Sequence, residues 1–215
     1  MTVFFKNIRL VNKTIKSVVF DLDGVLIDSR QCMEKSWNKV NHKYMLNHVF
    51  DEYFHFVGLP FLEIINNMGI SDNVNSIKDD YFNYTKKYQY LIKPYQGSSE
   101  IFSVLRERKI ATGIITSKER NNAISVCSKF CLLPEEIITP NDVVNGKPSK
   151  DSGIEYLLRS GLKESDVLYV GDMESDYQFS LNMKFDFAYA RYGYGSIKYE
   201  NMIIIDNLLD IIDII

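Results

Sequence analysis

The sequence predicts an α/β protein: a parallel sheet covered by helices on both faces, with an all-helical insert after the first strand. Three observations predict it. Short apolar runs recur at Val18–Phe20, Ala111–Ile115, Val167–Val170 and Phe185–Ala190, each with the length of a buried strand. From Ser98 onward, helical patterns separate these runs, and strands alternating with helices imply parallel pairing. Between Arg30 and Lys93 the strand pattern gives way to helical stripes.

Composition narrows the field. A chain of 215 residues accommodates one α/β domain, or such a core with a small insert. Apolar residues at 46% and aromatic residues at 13% suffice for a packed interior and argue against disorder. A net charge of −3 with scattered basic residues gives no electrostatic case for nucleic acid or an anionic membrane. No apolar run is long enough to cross a bilayer. Met1 to Lys16 lacks the apolar core and cleavage site of a signal peptide, so a cytoplasmic location is expected. This extension, to which no role is assigned, would add an edge strand or lie on the surface. The three cysteines fit a reducing compartment, and Cys127 and Cys131, one helical turn apart, are expected on a buried helix face.

Each element follows in order. Val18–Phe20 is the first strand. Trp37, Val40, Tyr44 and Leu46 form a helical stripe, and Val49, Tyr53, Phe56 and Val57 form another. A short helix runs from Pro60, at a first-turn position that tolerates proline, to Asn67 or Met68, and Gly69 stops it. Ser71 or Asp72 caps a longer helix bearing Ile77, Tyr81, Tyr84 and Tyr88. Pro94 and Gly97 close the insert. Next come a helix capped by Ser98 or Ser99, the strand Ala111–Ile115, and a helix from Lys118 to Phe130. Ile137–Thr139 is a short strand, Asp151–Arg159 a helix and Val167–Val170 a strand. Asp176–Asn182 is a helix, Phe185–Ala190 a strand, Met202–Ile205 the last strand, and Leu208–Ile215 an amphipathic closing helix.

Several strands end in residues that carry chemistry. Asp21 and Asp23, two apart on an extended strand, share a face, and Gly24 follows where a backbone N–H can approach a ligand. Thr116 and Ser117 follow another strand, and Asp172 a third. Parallel strands point the same way, so these ends meet at the sheet edge where open α/β folds bind ligands. Lys147, on a loop, could reach the same edge. Taken singly, each has an ordinary structural explanation as a turn, a cap or a solvated loop residue. Together they supply carboxylates, hydroxyls and an ammonium, a set suited to phosphoryl transfer.

Four segments carry a resemblance: DLDGVL at Asp21–Leu26, GIITSKE containing Thr116, NGKPSKD containing Lys147, and VLYVGDMESD containing Asp172 and Asp176. Their order and spacing resemble the four motifs of the haloacid dehalogenase superfamily. GLPFLEIINNMGI in the insert and RYGYG after the fourth motif are similar to its phosphoglycolate phosphatase and β-phosphoglucomutase branch. The resemblance implies a Rossmann-like three-layer core over residues 1–29 and 94–215, with a helical cap over 30–93. Two departures stand out: Ser149-Lys150 follows Lys147-Pro148 where the branch commonly has x-Pro, and Asn182-Met183 replaces Ala-Gly. Neither removes a group needed for chemistry.

The resemblance further implies a Mg²⁺-dependent phosphatase acting on a small phosphorylated molecule. Asp21 would be the nucleophile, splitting a difficult hydrolysis into two steps through an aspartyl-phosphate. Asp23 would be general acid and then base; members that dehalogenate lack this second aspartate. The implied catalytic set is Asp21, Asp23, Thr116 and Lys147, with phosphate held by Gly24, Thr116, Ser117 and Lys147. Metal contacts would come from Asp21, the Asp23 carbonyl and Asp172, with Asp176 a water-mediated ligand or a support for Lys147. Residues 58–61 would face the substrate from the cap, while His42, His48 and His55 are expected to be structural. A monomer or weak homodimer is expected. Two alternatives stay open: a phosphomutase of the β-phosphoglucomutase kind, and a phospho-accepting signalling module without turnover.

Overall fold

The computed structural model describes residues 15–198 and 202–215. Of the N-terminal extension, only Ile15 and Lys16 fall within them.

β1 (Ser17–Phe20) is wholly buried, and its side chains alternate between two apolar clusters. Val18 and Phe20 join Ile101, Phe102 and Leu105 of α5 (Glu100–Glu107) and Ala123 and Val126 of α6 (Arg120–Lys129). Val19 joins Tyr156 of α7 (Asp151–Ser160) and Phe179 and Met183 of α8 (Glu174–Met183). A strand with apolar groups on both faces therefore sits between two helical layers, as a parallel sheet requires. The other strands of this sheet are β4 (Ala111–Ile115), β5 (Glu136–Ile138), β6 (Val167–Gly171), β7 (Asp186–Ala190) and β8 (Ile203–Ile205). Among the described residues they pair in the order β5-β4-β1-β6-β7-β8, all parallel. Phe20 lies opposite both Ile114 and Val170, which brings the carboxyl ends of β1, β4 and β6 together.

The insert follows β2 (Ile27–Asp28) and comprises α1 (Arg30–Tyr44), α2 (Phe50–His55), α3 (Phe61–Asn67) and α4 (Val74–Lys87). It buries its own aromatic cluster, with Trp37 stacked on Tyr53 at 4.6 Å and Phe61 on Tyr81 at 4.7 Å. The chain returns through β3 (Lys93–Pro94), which pairs antiparallel with β2. The outgoing and returning segments are thus stitched to one another, a pairing too short for a sequence pattern to announce.

Three expectations need correction. α4 begins at Val74, behind Asn73 in the left-handed region (φ 56°), rather than at a Ser71 or Asp72 cap. The closing segment Leu208–Asp213 is a 3₁₀ helix. Its buried residues Leu208, Ile211 and Ile214 recur every third position, the period of that helix. Cys127 is buried, but Cys131 lies beyond the end of α6 with φ 53° and is exposed. No described helix is long and apolar enough to cross a membrane.

One surface network makes a pH prediction. Asp142 accepts hydrogen bonds from the Thr139 N–H at 2.9 Å and hydroxyl at 2.8 Å, from Arg159 at 3.0 Å, and from Arg120. Burial pushes its carboxyl up, but these donors outweigh burial and hold it at about 2, below the ordinary 3.8. A depressed folded-state value gives stability that is present above the ordinary pKa and lost as pH falls toward 2. Asp142→Asn is expected to cost about 2 kcal/mol at neutral pH. It should also flatten the loss of stability below pH about 4, which urea midpoints across that range would show.

Candidate active site

The site forms because β1, β4 and β6 are parallel neighbours whose next residues are Asp21, Thr116 and Asp172. All three side chains are buried. Lys147 reaches in from the loop after β5, only 2% exposed, and donates to Asp21 Oδ1 at 2.7 Å and Asp176 Oδ1 at 2.6 Å. The Tyr169 hydroxyl accepts from Lys147 at 3.0 Å and donates to the same Asp176 oxygen at 3.0 Å. Asp176 Oδ2 accepts the Asp172 and Met173 N–H groups at 3.2 and 3.0 Å. Both oxygens of Asp176 are therefore engaged in holding Lys147 and the first turn of α8.

Two carboxylates hold one ammonium, and a third lies beside them. Single oxygens of Asp21, Asp172 and Asp176 all lie within 4.8 Å of one another. Burial, opposed by Lys147 and reinforced by Asp176, pushes Asp21 up to about 7. Asp172 is pushed well above the carboxylate range by burial and by the neighbouring Asp176 and Asp21 charges. Lys147 is held above its usual value, because Asp176 and Asp21 outweigh the desolvation that pulls it down. Asp172 Oδ2 accepts the Tyr194 N–H at 2.6 Å, while its buried Oδ1 has no hydrogen-bond partner. A buried acceptor without a partner, in an all-oxygen acidic set, fits a hard divalent cation.

Gly24 is required at this point. Its φ is +91°, and a Cβ there would sit 2.6 Å from Asp172 Cγ. Gly24→Ala is expected to add strain of about 1–3 kcal/mol and to displace Asp172. The stabilisation that added divalent cation gives the native chain in a thermal melt should then shrink or vanish.

Asp23 stands apart from the acid cluster. Its half-buried carboxylate accepts Lys118 Nζ at 2.8 and 3.0 Å, and the Ser29 hydroxyl donates to it as well. The two aspartates of the first motif thus serve separate clusters, one metal-like and one facing the insert. Thr116 Oγ1 accepts the Lys118 N–H at 3.1 Å, and the Ser117 hydroxyl donates across to the Gly58 carbonyl of the insert at 2.7 Å. Asp21, Asp23, Thr116 and Ser117 line a cavity of about 80 Å³, and the insert contributes Gly58, Leu59 and Phe61 to the same wall. None of the three histidines lines it; His48 pairs with Glu52 at 2.9 Å.

Sequence reasoning missed Lys118, Ser29, Tyr169 and Tyr194. Lys118 was within reach, since it follows Thr116-Ser117 in the second motif. Tyr169, in the middle of a buried strand, reads from sequence as core.

The comparisons with known proteins agree with this geometry. A sequence profile of haloacid dehalogenase-like hydrolases matches residues 18–190. The pyrophosphatase PpaX of Bacillus pumilus is 29% identical over 168 residues, covering 76% of this chain and 77% of that protein. A phosphorylated carbohydrates phosphatase of Thermotoga maritima is 22% identical, covering 75% of this chain and 78% of its own. A structure from Bacteroides fragilis, assigned to the haloacid dehalogenase-like hydrolases, superposes with a TM-score of 0.85. It covers 92% of this chain and 100% of its own, at 20% identity. With the profile spanning β1 through β7 and including the Asp21, Lys147 and Asp172 cluster, this chain belongs to the haloacid dehalogenase-like hydrolase family.

Proposed function

We propose that the protein is a Mg²⁺-dependent phosphatase that hydrolyses a small phosphomonoester through an aspartyl-phosphate on Asp21. One observation carries the reading: Asp21 lines the cavity and is bridged to Asp176 through the buried Lys147, in one cluster with Asp172, whose Oδ1 has no partner. Asp21, the Asp23 carbonyl and Asp172 would hold the cation, with Asp176 fixed behind them by Lys147. When bound, the cation supplies the positive charge that lets an anionic phosphate approach these carboxylates.

The chain's own residues then divide the work. Lys147 keeps Asp21 oriented and places positive charge beside the transferring group. Thr116 and the Ser117 backbone N–H would donate to phosphoryl oxygens, whereas the Gly24 N–H expected to do so is taken by the Ile27 carbonyl at 2.8 Å and the Ser117 hydroxyl by Gly58. Asp23, held by Lys118 and Ser29, gives a proton to the departing alkoxide and later takes one from the water that cleaves the acyl-phosphate. The insert covers the site and excludes bulk water, which strengthens each of these contacts.

A second reading, hydrolysis of inorganic pyrophosphate, is favoured by the likeness to relatives named as the pyrophosphatase PpaX. Phosphate release should be screened with and without Mg²⁺ over phosphoglycolate, sugar phosphates, simple alkyl phosphates and pyrophosphate. Release that persists undiminished after chelation of divalent cations would contradict the proposal. Asp23→Asn is expected to slow turnover about 10²–10⁴-fold with cation binding largely retained. Loss of cation binding in calorimetry would instead assign its carboxylate to the metal.

A further inference from the structure

The wall above Asp21 and Asp23 is built by the insert, and it is mostly hydrocarbon. Met33, Tyr53, Phe61, Ile64, Tyr81 and Phe82 face the cavity. Their rings are packed against one another, with Phe61 4.7 Å from Tyr81 and 5.4 Å from Phe82. An aromatic surface is therefore formed in advance of any ligand.

Most polar groups of the same wall already have partners within the protein, Gln89 Oε1 accepting from the Ser125 hydroxyl at 3.0 Å and Glu119 Oε2 from the Asn122 N–H at 3.2 Å. The Tyr53 hydroxyl donates to that of Tyr81 at 2.7 Å. The Cys32 thiol donates to the Thr85 carbonyl at 3.4 Å, and the Thr85 hydroxyl donates to the Phe82 carbonyl at 2.9 Å. The Asn122 amide donates to Thr85 Oγ1 at 3.1 Å, and the Ser117 hydroxyl is taken by Gly58. A ligand bearing many hydroxyls would find few partners here, and each hydroxyl buried unpaired weakens binding about ten-fold or more. A second phosphate fares no better. Among the described residues lining the cavity Lys118 is the only cation, and Asp23 already holds it.

We infer that the site selects phosphate esters of compact, apolar alcohols, with a short alkyl chain or a single aromatic ring seated against Phe61 and Phe82. This rests on the phosphatase reading above and narrows its substrate class. In each turnover the ester P–O bond breaks and water is consumed, releasing one alcohol and one inorganic phosphate. The proton that Asp23 gives the alkoxide is restored by the attacking water.

The test compares kcat/KM for benzyl phosphate, glycerol phosphate, mannitol phosphate and inorganic pyrophosphate, all with Mg²⁺. The three esters leave as primary alkoxides, so differences among them report on the wall and not on leaving-group chemistry. Benzyl phosphate is expected to exceed mannitol phosphate by at least about 100-fold. Phe82, half-buried on α4, packs at the edge of the insert's aromatic cluster, so the thermal melt of Phe82→Ala is measured beside its kinetics. Phe82→Ala should lower kcat/KM for benzyl phosphate about ten-fold more than for glycerol phosphate, chiefly through KM. Faster turnover of mannitol phosphate or pyrophosphate than of benzyl phosphate, or a Phe82→Ala loss equal for all esters, would overturn the inference alone. No release from any of the four would overturn the phosphatase reading and this inference with it.

Discussion

Asp21→Asn is expected to lower phosphate release by at least about 10⁴-fold while leaving the metal-free fold intact. The amide cannot form the acyl-phosphate, so the covalent route closes. Stability should behave in the opposite way to activity. Asp21 is buried beside Asp176 and Asp172, and burial and the Asp176 charge push its carboxyl up to about 7 despite Lys147 at 2.7 Å. A neutral side chain of the same shape removes that repulsion. Lys147 keeps Asp176 at 2.6 Å as a partner. Thermal melting in chelator should therefore place the variant at or above the native chain, whereas added Mg²⁺ should stabilise it less. Residual release within ten-fold of native would leave no place for Asp21 as the attacking group.

Lys147→Met is expected to be the most destabilising single change in the site. The ammonium is 2% exposed and sits between Asp21 and Asp176, with Asp172 within the same cluster. Methionine fills the space but leaves buried carboxylates with no compensating charge, a loss of about 3–5 kcal/mol when one partner of a buried pair is removed. Divalent cation binds the folded state in preference to the unfolded one and should restore part of the loss. Urea unfolding with and without Mg²⁺ measures both effects. A variant as stable as the native chain in chelator would show that Lys147 does not neutralise the cluster.

Asp21, Thr116 and Asp172 were legible in the sequence because each follows a short apolar run. A parallel sheet converts that one-dimensional regularity into a shared edge. Lys147 lies on a loop, and only its motif neighbours pointed to it. The partition of the two first-motif aspartates was less visible. Spacing of two places Asp21 and Asp23 on one face of a strand, yet β1 ends at Phe20, so the period no longer holds and Asp23 meets Lys118 and Ser29. That outcome depends on where α6 begins and how the insert leaves the core, which are tertiary facts. Tyr169 and Tyr194 were hidden for a related reason. A tyrosine in a strand or a glycine-flanked loop carries no local mark of the carboxylate it meets across the fold. The 3₁₀ closing turn and the exposed Cys131 show the same limit at the ends of elements, where packing and a single left-handed residue decide the outcome.

The central claim is covalent capture of phosphate by Asp21, and acid-quenched turnover followed by borohydride reduction and peptide mapping tests it most directly. An aspartyl-phosphate is reduced to homoserine. The account predicts homoserine at position 21 in the native chain, dependent on substrate and Mg²⁺, and absent from Asp21→Asn. Reduction at another carboxylate during productive turnover, or position 21 recovered unmodified while an acid-stable phosphoryl group appears elsewhere, would contradict it.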